Sequence, residues 1–226
     1  MSKLWFLLFW AMLLSFAISY RDRRLCQTEG SIRRYDRAFT LLLILLLGVF
    51  CGLRTWYNDT VTYIQIYNQT PTLDVFLRRN TSTYAQGIGF AYLNSLMKTL
   101  GFSTQDYLMF YSLFTAFCYV RFVRKNTDNF PLAVFLMFTT GFYTFTFAAI
   151  KQCMATAICL LGMDFLLQKR NVPYVLTVAI ASLFHPYALV YLLLLFMDFR
   201  PLTWKTYLYI GVFVGVGFGL NRIIGT

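Results

Sequence analysis

Charge is what this sequence lacks most. Only 13% of its 226 residues are Asp, Glu, Lys or Arg, against about 25% in a soluble globular domain. With 58% hydrophobic residues and a mean hydropathy of +0.58, too little polar side chain remains to cover a water-facing surface. Histidine is almost missing as well, His185 being the single one. A catalytic metal site normally takes three or more protein ligands, and one histidine with scattered acids offers no obvious set, so neither metal nor cofactor is expected. The five cysteines, Cys26, Cys51, Cys118, Cys153 and Cys159, form no CxxC and no ligand spacing. Most lie inside apolar runs and read as small packing residues. No repeat, low-complexity linker or soluble domain interrupts the chain. The opening "MSKLWFLLFWAMLLSFAISYRDRR" has no small-residue cleavage site, and its charge follows the apolar run. It is expected to be a first span with its N-terminus outside, not a signal peptide.

What the chain does have is apolar runs of bilayer-spanning length. The expected fold is all-α: a polytopic helical bundle of about 7–8 membrane segments, forming one integral membrane domain over 1–226. The spans are placed near 4–20, 38–53, 104–123, 130–146, 147–167, 173–197 and 207–224, with an outer loop over 54–103. The formal charge of +11 would suit nucleic acid, but its distribution does not. Basic residues cluster between apolar runs ("RDRR" and "RRYDR" within 21–37, "RFVRK" at 121–125, "QKR" at 168–170, then Arg200 and Lys205), the positive-inside pattern of cytoplasmic loops. A basic nucleic-acid stripe needs a soluble face, and none is available.

Within the outer loop, "YAQGIGFAYLNSLMKTLG" (84–101) is too short and polar to span. Gly87, Phe90, Leu93, Leu96, Met97 and Leu100 fall at helical spacing, with Asn94, Ser95 and Lys98 elsewhere on the wheel, which predicts an amphipathic helix lying on the outer interface. The stretch 173–197 has the length of one span, yet "FHPY" sits at its middle and both flanks are basic. Pro186 disfavours a helical His185. Two half-helices meeting at His185 satisfy the charges better, and broken helices at membrane depth line cavities or protein rather than lipid.

Polar groups inside apolar runs carry the chemical information, because a charge at mid-bilayer costs about 2.5–3.5 kcal/mol on insertion scales. Lys151, followed by Gln152, lies about one turn inside an apolar helix; it is either a snorkelling anchor or a cation facing an outer cavity. His185 is either a satisfied core residue or part of a site at the break. Arg54 reads as an interfacial anchor or a site cation, and Asp59 as a helix N-cap or a carboxylate base. Tyr63 and Tyr67 read as interfacial aromatics or as part of the same site. The topology puts Arg54, Asp59, Lys151 and His185 on the outer side together. That set suits chemistry on a lipid-linked diphosphate: cations stabilise the leaving diphosphate, and a carboxylate or imidazole takes a proton from an attacking hydroxyl.

"GLRTWYNDTVTYIQIY" (52–67) resembles the "R-x-G-x-D-x-x-x-Y" stretch of the EpsG-type, Wzy-like polysaccharide polymerases. "FAAIKQCMATAICLLGMDFLLQKRNVPYVLTVAIASLFHPYALVYLLL" resembles their second signature, an "I-R-Q-x-x-A" helix followed by "A-S-x-F-H-x-x-A-L". Together these cover most of 40–197 in the right order. The resemblance implies a bacterial inner-membrane, multi-pass protein that polymerises or transfers undecaprenyl-diphosphate-linked repeat units in exopolysaccharide, capsule or O-antigen assembly. Its implied partners are the lipid-linked glycan, the bilayer and other assembly proteins such as a flippase or chain-length regulator. It places Arg54, Asp59, Tyr63, Gln152, Ala155, Ser182, His185 and Ala188 at signature positions. Arg54, Asp59, Lys151 and His185 are then the expected catalytic set, with Tyr63, Tyr67, Gln152 and Ser182 as substrate contacts. Lys151 stands in place of the signature arginine, keeping charge but not bidentate phosphate geometry, and Asn58 stands where a glycine is usual before the acid. The chain is shorter than typical members, and a C-terminal set of spans is expected to be missing. The layout is also similar to that of C-type glycosyltransferases, an architectural analogy only. A transporter or flippase of lipid-linked glycan, or an inactive truncated membrane protein, stays open as an alternative.

Overall fold

A computed structural model describes residues 2–29, 37–55, 57–78 and 87–197, with isolated positions between 204 and 212. Most of the expected last span at 207–224, the loop residue Arg34, and Arg200 with Lys205 lie outside the described residues. Among those described there are nine α-helices, two 3₁₀ segments and no strand. The helices are α1 (Ser2–Glu29), α2 (Arg37–Gly52), α3 (Thr60–Gln69), α4 (Leu73–Arg78), α5 (Ile88–Thr99), α6 (Thr104–Asn126), α7 (Phe130–Thr139), α8 (Ile150–Leu167) and α9 (Asn171–Ser182). The 3₁₀ segments are Thr144–Phe147 and Pro186–Phe196. Two segments, Lys3–Arg23 and Ile150–Leu167, are long and apolar enough to cross a membrane, and α2, α7, α9 and 186–196 are shorter apolar helices.

The bundle is organised around α6. Its N-terminus is fixed by a capping box: Ser103 Oγ accepts from the Asp106 backbone N–H, and the Asp106 carboxylate accepts from the Ser103 N–H at 2.9 Å. Against it lies α2, which carries a G-x-x-x-G pair that lets two helix backbones approach closely. A Cβ at Gly48 would sit 2.6 Å from Leu113 Cδ2, and one at Gly52 would sit 2.7 Å from Met109 Sδ. That register makes α2 and α6 antiparallel. Helix α8 runs alongside α6 in the same direction, tied at its far end where Arg121 and Lys125 both meet Asp164. Arg124 pairs with Asp22 of α1, so the basic end of α6 is clamped from two sides.

The apolar stretch 130–146 is shorter as a helix than expected. Helix α7 stops at Thr139, Gly141 turns the chain with φ 79°, and 144–147 is 3₁₀. The segment 171–196 is a hairpin. Helix α9 ends at Ser182, His185 is extended (φ −154°, ψ 126°), and Pro186 opens the 3₁₀ arm. The Tyr174 hydroxyl donates to the Tyr191 carbonyl at 2.7 Å, which holds the arms antiparallel. At about 1.5 Å per α-helical and 2.0 Å per 3₁₀ residue, neither arm reaches the ~30 Å of a bilayer core.

Helix α5 exists, with Phe90 and Met97 of the expected face buried, but that face extends further round the helix than expected. Asn94 and Ser95 are buried while Leu100 is 64% exposed. The Tyr111 hydroxyl donates to Asn94 Oδ1 at 2.8 Å, so a partner on α6 draws that polar edge inward.

Candidate functional site at the hairpin tip

The site forms where four pieces of chain meet: the start of α8, the start of α5, the hairpin tip and the first turn of α3. Helix α8 begins at Ile150 with no side-chain cap on Ala149. Its first-turn N–H groups therefore lack intrahelical partners and carry the positive end of the helix dipole. Lys151 adds a full charge there, its Nζ 5.2 Å from the centroid of the Phe90 ring and within electrostatic reach of the His185 imidazole. Next to it, Gln152 Oε1 is buried with no hydrogen-bond partner among the described residues.

Two glycines dock α5 onto the tip. Gly87 has φ 115°, and a Cβ there would meet the Phe184 carbonyl oxygen at 2.8 Å. Gly89 donates its N–H to the Leu183 carbonyl at 2.8 Å, and a Cβ there would lie 2.9 Å from that of Leu183. Only hydrogen fits at either place. The contact also satisfies a carbonyl that the break in α9 sets free. In the sequence this contact had one signal, the G-I-G run opening an amphipathic helix.

At the tip, His185 caps the 3₁₀ arm: its Nδ1 accepts from the Tyr187 N–H at 3.3 Å. With Nδ1 accepting, the neutral ring carries its proton on Nε2. Ser182 turns back into its own helix, donating to Ala179 O at 2.7 Å, so its hydroxyl proton is occupied. Ala155 and Ala188 are buried packing residues.

The α3 side divides into a support and a facing edge. Arg54 is only 8% exposed. Its Nε donates to Thr60 Oγ1 at 3.1 Å, and its Nη1 to Cys51 O at 2.7 Å and Ser112 Oγ at 3.1 Å. Those bonds join the C-terminus of α2, the start of α3 and the middle of α6. This corrects the expectation of a phosphate-facing cation: Arg54 is a buried hub, and only Nη2 makes no hydrogen bond to the described residues. Tyr67 is corrected likewise. It is fully buried, stacked on Tyr107 at 4.3 Å, with its hydroxyl on Phe102 O at 2.8 Å, so it offers a substrate nothing.

Tyr63 is buried against Phe90. Burial raises its hydroxyl's pKa, the Lys151 backbone N–H opposes this, and the Asp59 charge adds to the rise. The Tyr63 hydroxyl thus feels both the start of α8 and the Asp59 charge. Asp59 itself is exposed and makes no side-chain cap on α3. Before it, Asn58 has φ 48°, a left-handed conformation that glycine and asparagine enter most readily. Behind this edge is a tyrosine layer that sequence reasoning missed. Tyr107 and Tyr111 are both almost fully buried, and the Tyr107 hydroxyl has no partner among the described residues.

The described residues include no cluster of three metal-binding side chains. The Lys151 ammonium on the first turn of α8 lies within electrostatic reach of the His185 imidazole, and Tyr63 is the residue that feels both this helix start and the Asp59 carboxylate. The model of the EpsG family matches residues 37–225. No curated protein and no solved structure gives a significant match.

Proposed function

The chain belongs to the EpsG family, a family of membrane proteins of polysaccharide biosynthesis, and on that premise we propose that it polymerises lipid-linked glycan repeat units. The substrate is a polyprenyl-diphosphate-linked oligosaccharide such as an undecaprenyl one, and the product is bacterial exopolysaccharide, capsule or O-antigen. The reaction belongs at the outer face of the inner membrane. An acceptor sugar hydroxyl attacks the anomeric carbon of the donor unit. The new glycosidic bond forms as the anomeric carbon–oxygen bond to the diphosphate breaks, the lipid diphosphate leaves with the electron pair, and the hydroxyl proton passes to a base.

The observation that carries this reading is Lys151, on the first turn of α8 and over the Phe90 ring, within electrostatic reach of His185 at the break in the hairpin. Lys151 and the α8 N-terminus stabilise charge growing on the leaving diphosphate. His185, with its proton on Nε2, serves as a donor that orients the diphosphate. Asp59, the exposed carboxylate of the site, takes the hydroxyl proton. Gln152 Oε1 accepts from a sugar hydroxyl.

The test is complementation of a deletion strain, reading the length distribution of its surface glycan. The wild-type chain restores the ladder. Lys151→Met should accumulate normally and lose extension by about 10²–10³ in rate, the usual effect of removing one electrostatic donor, while Lys151→Arg should be tolerated. A deletion strain that still displays single repeat units supports polymerisation; one that displays none points to transport instead. Full polymer length from Lys151→Met would reduce Lys151 to an anchor.

A further inference from the structure

At the other end of the bundle, α2 and α6 enclose a second site. A cavity of 570 Å³ opens between them, within the range of small-molecule pockets. On α2, Arg37, Leu41 and Ile44 line it at helical spacing; on α6, Phe117, Arg121, Arg124 and Lys125 do the same. The wall is divided. Leu41 and Phe117 are 56% and 45% exposed and form an open apolar floor, while the four cations gather at one rim. Two carboxylates answer them: Asp164 meets Arg121 and Lys125, and Asp22 meets Arg124. Arg37 has no carboxylate partner among the described residues, so the rim keeps a surplus of positive charge.

We infer that this groove binds one anionic phospholipid, its phosphate between Arg37, Arg121 and Lys125 and an acyl chain along Leu41, Ile44 and Phe117. Guanidinium forks match phosphate oxygens in pairs, and basic pockets between membrane helices bind anionic head groups. Scattered basic residues at a membrane surface attract anionic lipid without holding any one molecule. Here an apolar slot continues from the cations, which makes the binding stoichiometric. The site is independent of the reaction at the hairpin tip.

Native mass spectrometry of the full chain in zwitterionic detergent, titrated with phosphatidylglycerol or phosphatidylcholine, tests this. One phosphatidylglycerol should be retained and no phosphatidylcholine. Arg37→Gln with Lys125→Gln should weaken retention about 25-fold, at roughly fivefold per cation. Arg78→Gln, at the opposite end, should change nothing. Excess inorganic phosphate should leave the lipid bound; displacement would assign the site to a free anion and overturn the inference. Equal retention of both lipids, or wild-type retention by the double variant, would overturn it too. If the double variant fails to accumulate, Arg37→Gln alone, at the exposed start of α2, carries the same test with a fivefold loss.

Discussion

Arg54 and Lys151 are cations at the same end of the bundle, yet physics separates their roles. Arg54 is buried, and its hydrogen bonds reach three elements. Hydrogen bonds to a charged group contribute about 1.5–3 kcal/mol each, and their neutral acceptors are left buried when the guanidinium goes. Arg54→Met should therefore lower membrane abundance, and Arg54→Lys should not rescue it, because an ammonium lacks the fork; immunoblots of membrane fractions check both. Lys151 faces the site over Phe90, so its loss should spare abundance and remove activity. Asn58 gives a third case. Its φ of 48° makes Asn58→Gly neutral or stabilising and Asn58→Val destabilising by roughly 1–2 kcal/mol, readable as a shift in thermal unfolding of the purified protein. The sequence marked Arg54, Asp59 and Tyr63 as a group but could not say which faces outward. That depends on Ser112, Phe90 and the α8 N-terminus, all distant in the chain.

Among the elements, the hairpin 171–196 and α5 depend on one another. The break leaves the Leu183 carbonyl without a helical partner, and the Gly89 N–H supplies one. Gly89→Val would drive a side chain into Leu183 and shift His185. Polymer should shorten while abundance stays near normal, and in limited proteolysis the 183–187 segment should become more sensitive. Unchanged polymer length would mean that the glycine contact does not position the tip. The break itself was legible, since a lone His-Pro between two basic flanks can hardly form one continuous span. The full width of the buried face of α5 was not. Asn94 lies one turn from both Phe90 and Met97, and the Tyr111 hydroxyl on α6 gives its polar group a partner on that face.

Taken whole, the bundle has two chemically different ends. One carries Asp59, Lys151 and His185; the other carries Arg37, Arg121, Arg124 and Lys125 with Asp22 and Asp164. From basic-residue asymmetry we propose that the second end faces the cytoplasm. Single cysteines at 59 and 78, in a variant without native cysteines, should then react with an impermeant thiol reagent in intact cells, and those at 125 and 169 only after permeabilisation. The reverse pattern would invert the orientation. The account stands most directly on the reaction itself. Purified full chain in a bilayer, supplied with polyprenyl-diphosphate-linked repeat units, should join them and release one lipid diphosphate for each new linkage. Lys151→Met and Asp59→Asn should bind the units and release almost none. A wild-type chain that carries the units across the bilayer and releases no lipid diphosphate would contradict it.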